Sequence, residues 1–411
     1  MQHKRLTVLT TTVAVLALLT AACGGGSASE STTTAAPAAT TTTMAAPEST
    51  TTTVAETSTT MAPEWQSGDA WDAGAPAEWA DILKAGQDEG VVVVGGFPYL
   101  EDSMKEAFLR DTGIQLEWVG GGGGEISSRF EQEARSGNMT LDIILGGGTE
   151  LETLYPDGLL SNVADQMILP GTADGDWWRL GKKQWYDDAQ AYFFEGAGWV
   201  FGYITVNADL VDPASITTLD DLLRPEFKGK IIANDPTAQG AGQGAAAAMV
   251  GAGVSIDYLK QLFIDQQVDL TQDNGQVVEA LARGTHSVAL FALQSQIEKY
   301  KAQGFNLQVV TPSDYPGYVT SGFSVLKEAV AAPHPNAAQV FINWYASQPG
   351  QQTYQDVLLA ASNRLDTDRS SLPAYVIPQD GVTYFEDSSE TFRLTQRRAA
   401  VDELVALFGG R

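Results

Sequence analysis

The 411-residue chain holds one cysteine, Cys23, three histidines, and 24 basic residues against 51 acidic ones, for a formal charge of -27. A single cysteine excludes an internal disulfide. Outside the first few residues only His286 and His334 are left for imidazole chemistry, and no HExxH or GxSxG pattern occurs. The excess of carboxylates excludes nucleic acid and anionic membrane surfaces as partners. It leaves the sign of a ligand's charge open, because exposed charges are screened within about 10 Å while pocket groups act locally. Beyond the leader there is no apolar run long enough to span a bilayer.

What is present begins with an export signal. Residues 1–22 carry Lys4 and Arg5, then an apolar run to Leu19, then small residues directly before Cys23. This order is that of bacterial lipoprotein signals, in which the cysteine becomes the lipidated N-terminus, although Thr20 stands where such signals usually have leucine. Plain secretion is the other reading. Residues 23–75 form the expected linker. Ser27 to Pro63 is almost wholly Thr, Ala, Ser and Pro and cannot bury enough apolar surface to fold. As a flexible tether it would span on the order of 35 Å. The remaining chain, about 340 residues, is too long for one ordinary core and suits two lobes.

The body is organised around the glycine run Gly120 to Gly124, followed by Glu125. Before it, Ile114, Leu116 and Trp118 alternate with polar residues at the period of a strand. After it, Ile126 and Phe130 mark a helix. A strand, a glycine loop and a helix start bring backbone N–H groups close to a ligand, and the helix dipole adds partial positive charge. Two readings stay open at this point: an oxyanion site at Gly121, Gly122, Gly123 and Gly124, or a solvent-exposed loop tip. Neither the phosphate-loop lysine nor the dinucleotide fingerprint is present.

Along the chain, Trp65, Trp71 and Trp79 decorate an acidic lead-in. They read as packing residues of a helix over 78–87 or as a sugar-stacking surface. Val91 to Val94 and Leu141 to Leu145 are buried parallel strands ending in glycine turns, the second at Gly146, Gly147, Gly148 and Thr149. Loops at Gly95, Gly120 and Gly146 therefore share one rim. Trp199 to Val206 and Val288 to Phe291 read as further strands. Ile231 to Ala233 leads through Thr237, Ala238 and Gln239 to a helix, with Thr237 and Gln239 as donors at its start. Ala337, Val340, Phe341, Trp344 and Tyr345 make a helical stripe that is core. His334, between Pro333 and Pro335, reads as a surface loop residue.

The order of Thr112-Gly113-Ile114, Gly158-Leu159-Leu160, Lys228-Gly229-Lys230, Asp235-Pro236-Thr237, Arg283-Gly284, Ser321-Gly322 and Pro335-Asn336-Ala337 resembles extracellular solute-binding proteins of family 1, especially the branch of ferric-iron-binding proteins. The resemblance spans most of Val91 to Gln351. It implies an α/β, two-lobed periplasmic-binding-protein fold of type II with mostly parallel sheets and a ligand cleft between the lobes. Residues 76–195 and 290–348 would form lobe 1, and 196–289 and 349–411 lobe 2. Hinge crossings would fall near Glu195 to Trp199, Val288 to Phe291 and Ser347 to Gln352. Delivery to an ABC permease and its ATPase is implied, with the protein a monomer held at the outer face of the membrane by its anchor.

The branch's iron ligands do not carry over. Gln294 and Ser295 stand where its tyrosine pair would be, and Gly147 where its carboxylate would be. Fe(III) prefers anionic oxygen ligands. The expectation is therefore no metal and no cofactor, and a small anionic or zwitterionic solute between Gly121–Glu125 and Gly148–Thr149 on one side and Thr237–Gln239 on the other. Trp199, Gln294, Ser295 and Tyr318 complete the expected contacts. Glu125 is either a rival for the anion site or a partner for an ammonium group. The alternatives are an iron binder of the same branch, a hydrolase using carboxylates such as Asp187, Asp188 and Glu195, and a ligand-sensing surface lipoprotein.

Overall fold

The computed structural model describes residues 71–408, apart from 122, 174–176, 183 and 323. Cys23, residues 24–70 of the expected linker, Trp65 among them, and Gly122 lie outside the described residues, whereas residues 71–75 belong to the packed body. Fourteen strands are described, in chain order β1 Val91–Gly96, β2 Gln115–Gly120, β3 Ile143–Gly146, β4 Gln184–Trp185, β5 Phe194–Glu195, β6 Trp199–Phe201 and β7 Ile204–Asn207, then β8 Ile231–Asn234, β9 Asp269–Thr271, β10 Val288–Leu290, β11 Leu307–Val310, β12 Tyr318–Thr320, β13 Val325–Glu328 and β14 Phe385–Glu386. They form a six-stranded sheet ordered β2-β1-β3-β13-β5-β4, a five-stranded sheet ordered β11-β7-β10-β8-β9, and a three-stranded sheet β14-β12-β6. Among the described residues no helix is long and apolar enough to cross a membrane.

The two larger sheets are the cores of two lobes. Val92 and Val94 are fully buried on β1, which pairs in parallel with β2 and β3. The register sets Gly96 beside Gly120 and Gly95 beside Ile144, so the three glycine turns do lie at one sheet end. Parallel order is confined to β2-β1-β3 and β10-β8-β9 in these two sheets. β13, β5, β4, β7 and β11 run antiparallel to their neighbours, which makes the sheets mixed rather than mostly parallel. The reversed strands are those flanking the passages between sheets, where the chain turns back without a crossover helix.

Helix Pro335–Ala346 buries its expected stripe; Phe341 and Trp344 meet Phe108 edge-on at 5.3 and 5.2 Å. Its N-terminus is held by the Glu89 carboxylate, which accepts from Asn336 N at 3.3 Å and Ala337 N at 2.7 Å, in line with the helix dipole. Trp79 is buried and Trp71 stands edge-on to it, with its indole N–H donating to the Asp111 carbonyl. The lead-in tryptophans described are packing residues.

Three expectations change. The apolar run from Trp199 to Val206 is two strands in two sheets, because Gly202 takes φ 81° and turns the chain between β6 and β7. Val288–Leu290 is not a crossing: β10 lies between β7 and β8, and β11 stays in the same sheet. The return passage runs instead through β12 to β13, so residues 294–310 go with the five-stranded sheet and not, as expected for 290–348, with the six-stranded one. His334 is not a free surface residue. Its backbone N and Nδ1 reach the fully buried Asp142 carboxylate at 2.7 and 2.9 Å.

Candidate functional site

The first glycine loop is shorter than its sequence suggests. β2 ends at Gly120, Gly121 N donates to the Gly96 carbonyl at 3.1 Å, and helix Gly123–Ser136 starts at once. Gly123 and Gly124 are thus the first helical turn. The helix starts here because Ile126 and Phe130 are drawn into the core beneath β1. Glu125 is exposed in that first turn, and its Oε2 lies 3.3 Å from where a Cβ on Gly121 would sit. A carboxylate of the protein itself therefore stands beside the helix start.

The second loop is built differently. β3 delivers Gly147 and Gly148, and Lys327 on the neighbouring β13 reaches underneath. Its Nζ donates to the Gly147 carbonyl at 2.5 Å and lies 3.3 Å from Glu150 Oε2, with both side chains essentially without exposure. Burial pushes the Lys327 amine down, and Glu150 opposes that shift. Gly148 is covered by the Tyr186 ring; a Cβ there would fall 2.4 Å from it. Thr149 is exposed and its hydroxyl caps nothing.

Opposite stands the loop after β8. Buried Asn234 accepts from Gly242 N at 2.7 Å and starts helix Ala241–Gly251. The helix begins two residues after Gln239, so Thr237–Gln239 is a turn and not the helix terminus itself. Thr237 N and Oγ1 both donate to Asp235 Oδ1, at 2.8 and 2.7 Å, which fixes the turn and occupies those donors. Gln239 is exposed on the five-stranded side, yet its amide oxygen is 2.9 Å from the point where a Cβ on Gly124 would lie. Ala238 is half-buried beside it.

Trp199 and Tyr318 lie in the connecting sheet. Trp199 packs on Gly322, and Tyr318 stands edge-on to Phe201 at 6.1 Å. Gln294 is buried and its Nε2 donates to the Leu358 carbonyl at 3.0 Å, tying two helices together, while Ser295 beside it is half-buried. These last two are not brought to the glycine loops by any contact described.

Sequence reasoning missed a polar cluster beside the second loop. Arg393 lies over the Tyr186 ring at 4.6 Å, donates to its hydroxyl at 2.7 Å, and pairs with buried Asp387 at 3.2 Å. Thr320 also donates to Asp387, and Ser321 donates to Glu195 Oε1. Burial pushes the Glu195 carboxyl up to about 8, so it is largely protonated at neutral pH. Asp187 accepts from the backbone N–H groups of Ala191, Tyr192 and Phe193 at 2.8 to 3.3 Å and is occupied as a turn residue. The one available signal for the cluster was three arginines, Arg393, Arg397 and Arg398, within six residues of an acidic chain.

Two α/β lobes joined by a small sheet, with loop termini facing one another across the join, define a two-lobed binding protein. The sequence model of bacterial extracellular solute-binding proteins matches residues 103–360, and the chain belongs to that family. An uncharacterized protein of Haemophilus influenzae is 29% identical over 135 residues, 32% of this chain and 38% of that relative's length. Among solved structures, the fructose-6-phosphate-bound periplasmic binding protein AfuA of Actinobacillus pleuropneumoniae superposes with TM-score 0.62 at 17% identity, covering 78% of this chain and 98% of its own. Iron-bound HitA of Pseudomonas aeruginosa gives 0.59 at 19%, covering 77% and 99%. A periplasmic thiamin binding protein gives 0.59 at 16%, covering 77% and 96%. At these identities the likeness establishes the fold, and the family membership places this chain among exported solute-binding proteins.

Proposed function

We propose that the protein captures a small anionic or zwitterionic solute in the cleft between its lobes and presents it to the permease and ATPase of an ABC importer, without turning it over. It works as a monomer from the outer face of the cytoplasmic membrane, anchored through lipidated Cys23. The observation that supports this reading best is the seating of the Gln239 amide on Gly124. The two segments that sequence reasoning pairs around a ligand belong to different sheets and meet here. Backbone N–H groups of the Gly123–Ser136 first turn and the Gln239 amide would hold the anionic group, and exposed Glu125 would take an ammonium group if the solute has one.

A thermal-shift screen of small anionic, zwitterionic and neutral solutes tests it. A true ligand at about a hundredfold its Kd adds roughly 2.7 kcal/mol to the folded state. Gly124→Pro removes one first-turn N–H and presses on the Gln239 amide, two effects on the same site, and is expected to weaken binding while the ligand-free protein stays folded. Stabilisation by neutral sugars alone, with Gly124→Pro at full affinity, would overturn the reading. Cys23→Ala should release the protein from the membrane fraction; unchanged detergent-phase partitioning would remove the anchor.

A further inference from the structure

The C-terminal segment lies beyond residue 360, where the family match ends, and its helical turn Phe392–Arg397 winds with the wider π pitch that recurs at functional sites. That turn is anchored on the five-stranded lobe: Phe392 and Ala400 pack with Ala247, and Phe408 lies 5.4 Å from Phe263. From this base it reaches the other lobe. Arg393 contacts Tyr186, and Glu390 accepts from Asp188 N at 2.7 Å. Arg397, four residues after Arg393, is on the same side of the turn.

The charges in this cluster are unevenly paired. Arg393 has Asp387 and Tyr186. Arg397 is half-buried, and among the described residues its guanidinium makes no hydrogen bond and no ion pair within 4 Å; its charged neighbours are Arg393, Asp387 and the exposed Glu152 just past the second glycine loop. Glu386 is already paired with Arg179 at 2.9 Å, and Glu195 is largely protonated. Asp387 is thus engaged by Arg393, and exposed Glu152 acts on Arg397 only from beyond 4 Å. Burial and Arg393 together push the Arg397 guanidinium down, the direction expected for a cation whose partner is missing.

We propose that Arg397, one turn from the Arg393 that holds the Tyr186 ring over Gly148, is an anion-binding subsite that takes a carboxylate or phosphate group of the solute. This deepens, and rests on, the cleft reading above. A guanidinium offers up to five donors in a fixed fork that suits such groups. An oxyanion would supply the close partner that the Arg397 guanidinium lacks.

The test is titration of the mature protein with inorganic phosphate at constant ionic strength, read by calorimetry and by melting temperature. Saturable binding is expected in the wild type. Arg397→Met should lower affinity at least tenfold while its ligand-free melting temperature stays equal to the wild type's or rises, because a poorly compensated charge is removed; a merely structural arginine would lower it. Arg397→Lys should keep part of the affinity and serves if the methionine variant folds poorly. No phosphate binding by the wild type, or equal binding by Arg397→Met, overturns the subsite. If Arg397→Met binds normally and Gly124→Pro does not, the subsite falls and the cleft reading stands.

Discussion

The two glycine loops at the rim of the six-stranded sheet look alike in sequence and are held in different ways. Gly147–Thr149 is fixed from within its own lobe, by the buried Lys327–Glu150 pair below and the Tyr186 ring above. Among the described residues of the other loop, Gly121 is tied to β1 by one backbone bond, Gly124 accepts from Ser128 Oγ of its own helix, and the outer contact is Gln239 from the other sheet. Gly147–Thr149 is a prebuilt wall, whereas Gly121–Gly124 depends on where the opposite lobe sits. A two-lobed binder needs both, since a rigid wall sets selectivity and a loop completed by the partner lobe senses closure.

Breaking the prebuilt wall should have the largest effect. Lys327→Met leaves Glu150 as an unpaired buried charge and is expected to cost about 3–5 kcal/mol in urea unfolding, most of it recovered in the double variant with Glu150→Gln. A double variant no more stable than the single one would show that the pair is not what matters.

The next contrast sets the loops against each other. Gly148→Ala puts a methyl into the Tyr186 ring and should cost about 1–3 kcal/mol. Gly124→Ala meets only the flexible end of Gln239, so its stability cost should stay below about 1 kcal/mol while solute affinity drops. Equal stability losses at the two positions would erase the distinction.

A pH series sharpens the picture near the join. Burial raises the folded-state pKa of Glu195 to about 8, above its unfolded value. Between the ordinary carboxylate range and about 8 the folded state keeps a proton that the unfolded state has lost. Stability from this group is therefore full at low pH and declines as pH rises, by up to about 1.4 kcal/mol per unit, levelling off above 8. Glu195→Gln should flatten that decline and gain most over the wild type at pH 8. Glu328, pushed up by burial to about 7, keeps part of the slope. Parallel curves for variant and wild type would refute the assignment. Thr149→Ala, exposed and capping nothing, should change stability by less than about 0.5 kcal/mol and so isolate any effect on binding.

Most of the fold was legible because burial leaves a period. The alternation through Trp118, the run at Val91 and the stripe to Tyr345 each became the element their spacing implies. The passages between lobes were not, since a central strand such as Val288–Leu290 and a crossing strand such as Trp199–Phe201 carry the same apolar signature. Only Gly202, with positive φ, and Tyr203 separate β6 from β7, and glycine in a strand has several uses. Of the site, strand–loop order marked the two loops, and their facing across a cleft was implied by the family resemblance alone. The Arg393–Tyr186 contact was not legible, because it joins residues about two hundred positions apart with no local pattern on either side. His334 and Asp142 failed for the same reason: two flanking prolines describe a loop well and say nothing about what it lies against.

β14 has a wider consequence. It lies past the family-matched span, yet it pairs in parallel with β12 and so forms one margin of the small sheet through which the lobes are joined. The stiffness of that joint is then an inheritance of the tail, which also carries Arg397. Two proteins with identical loops and different tails would capture the same solute at different rates, and a chain cut before Phe385, which loses both this margin and Arg397, should release it faster in stopped-flow than the intact protein does.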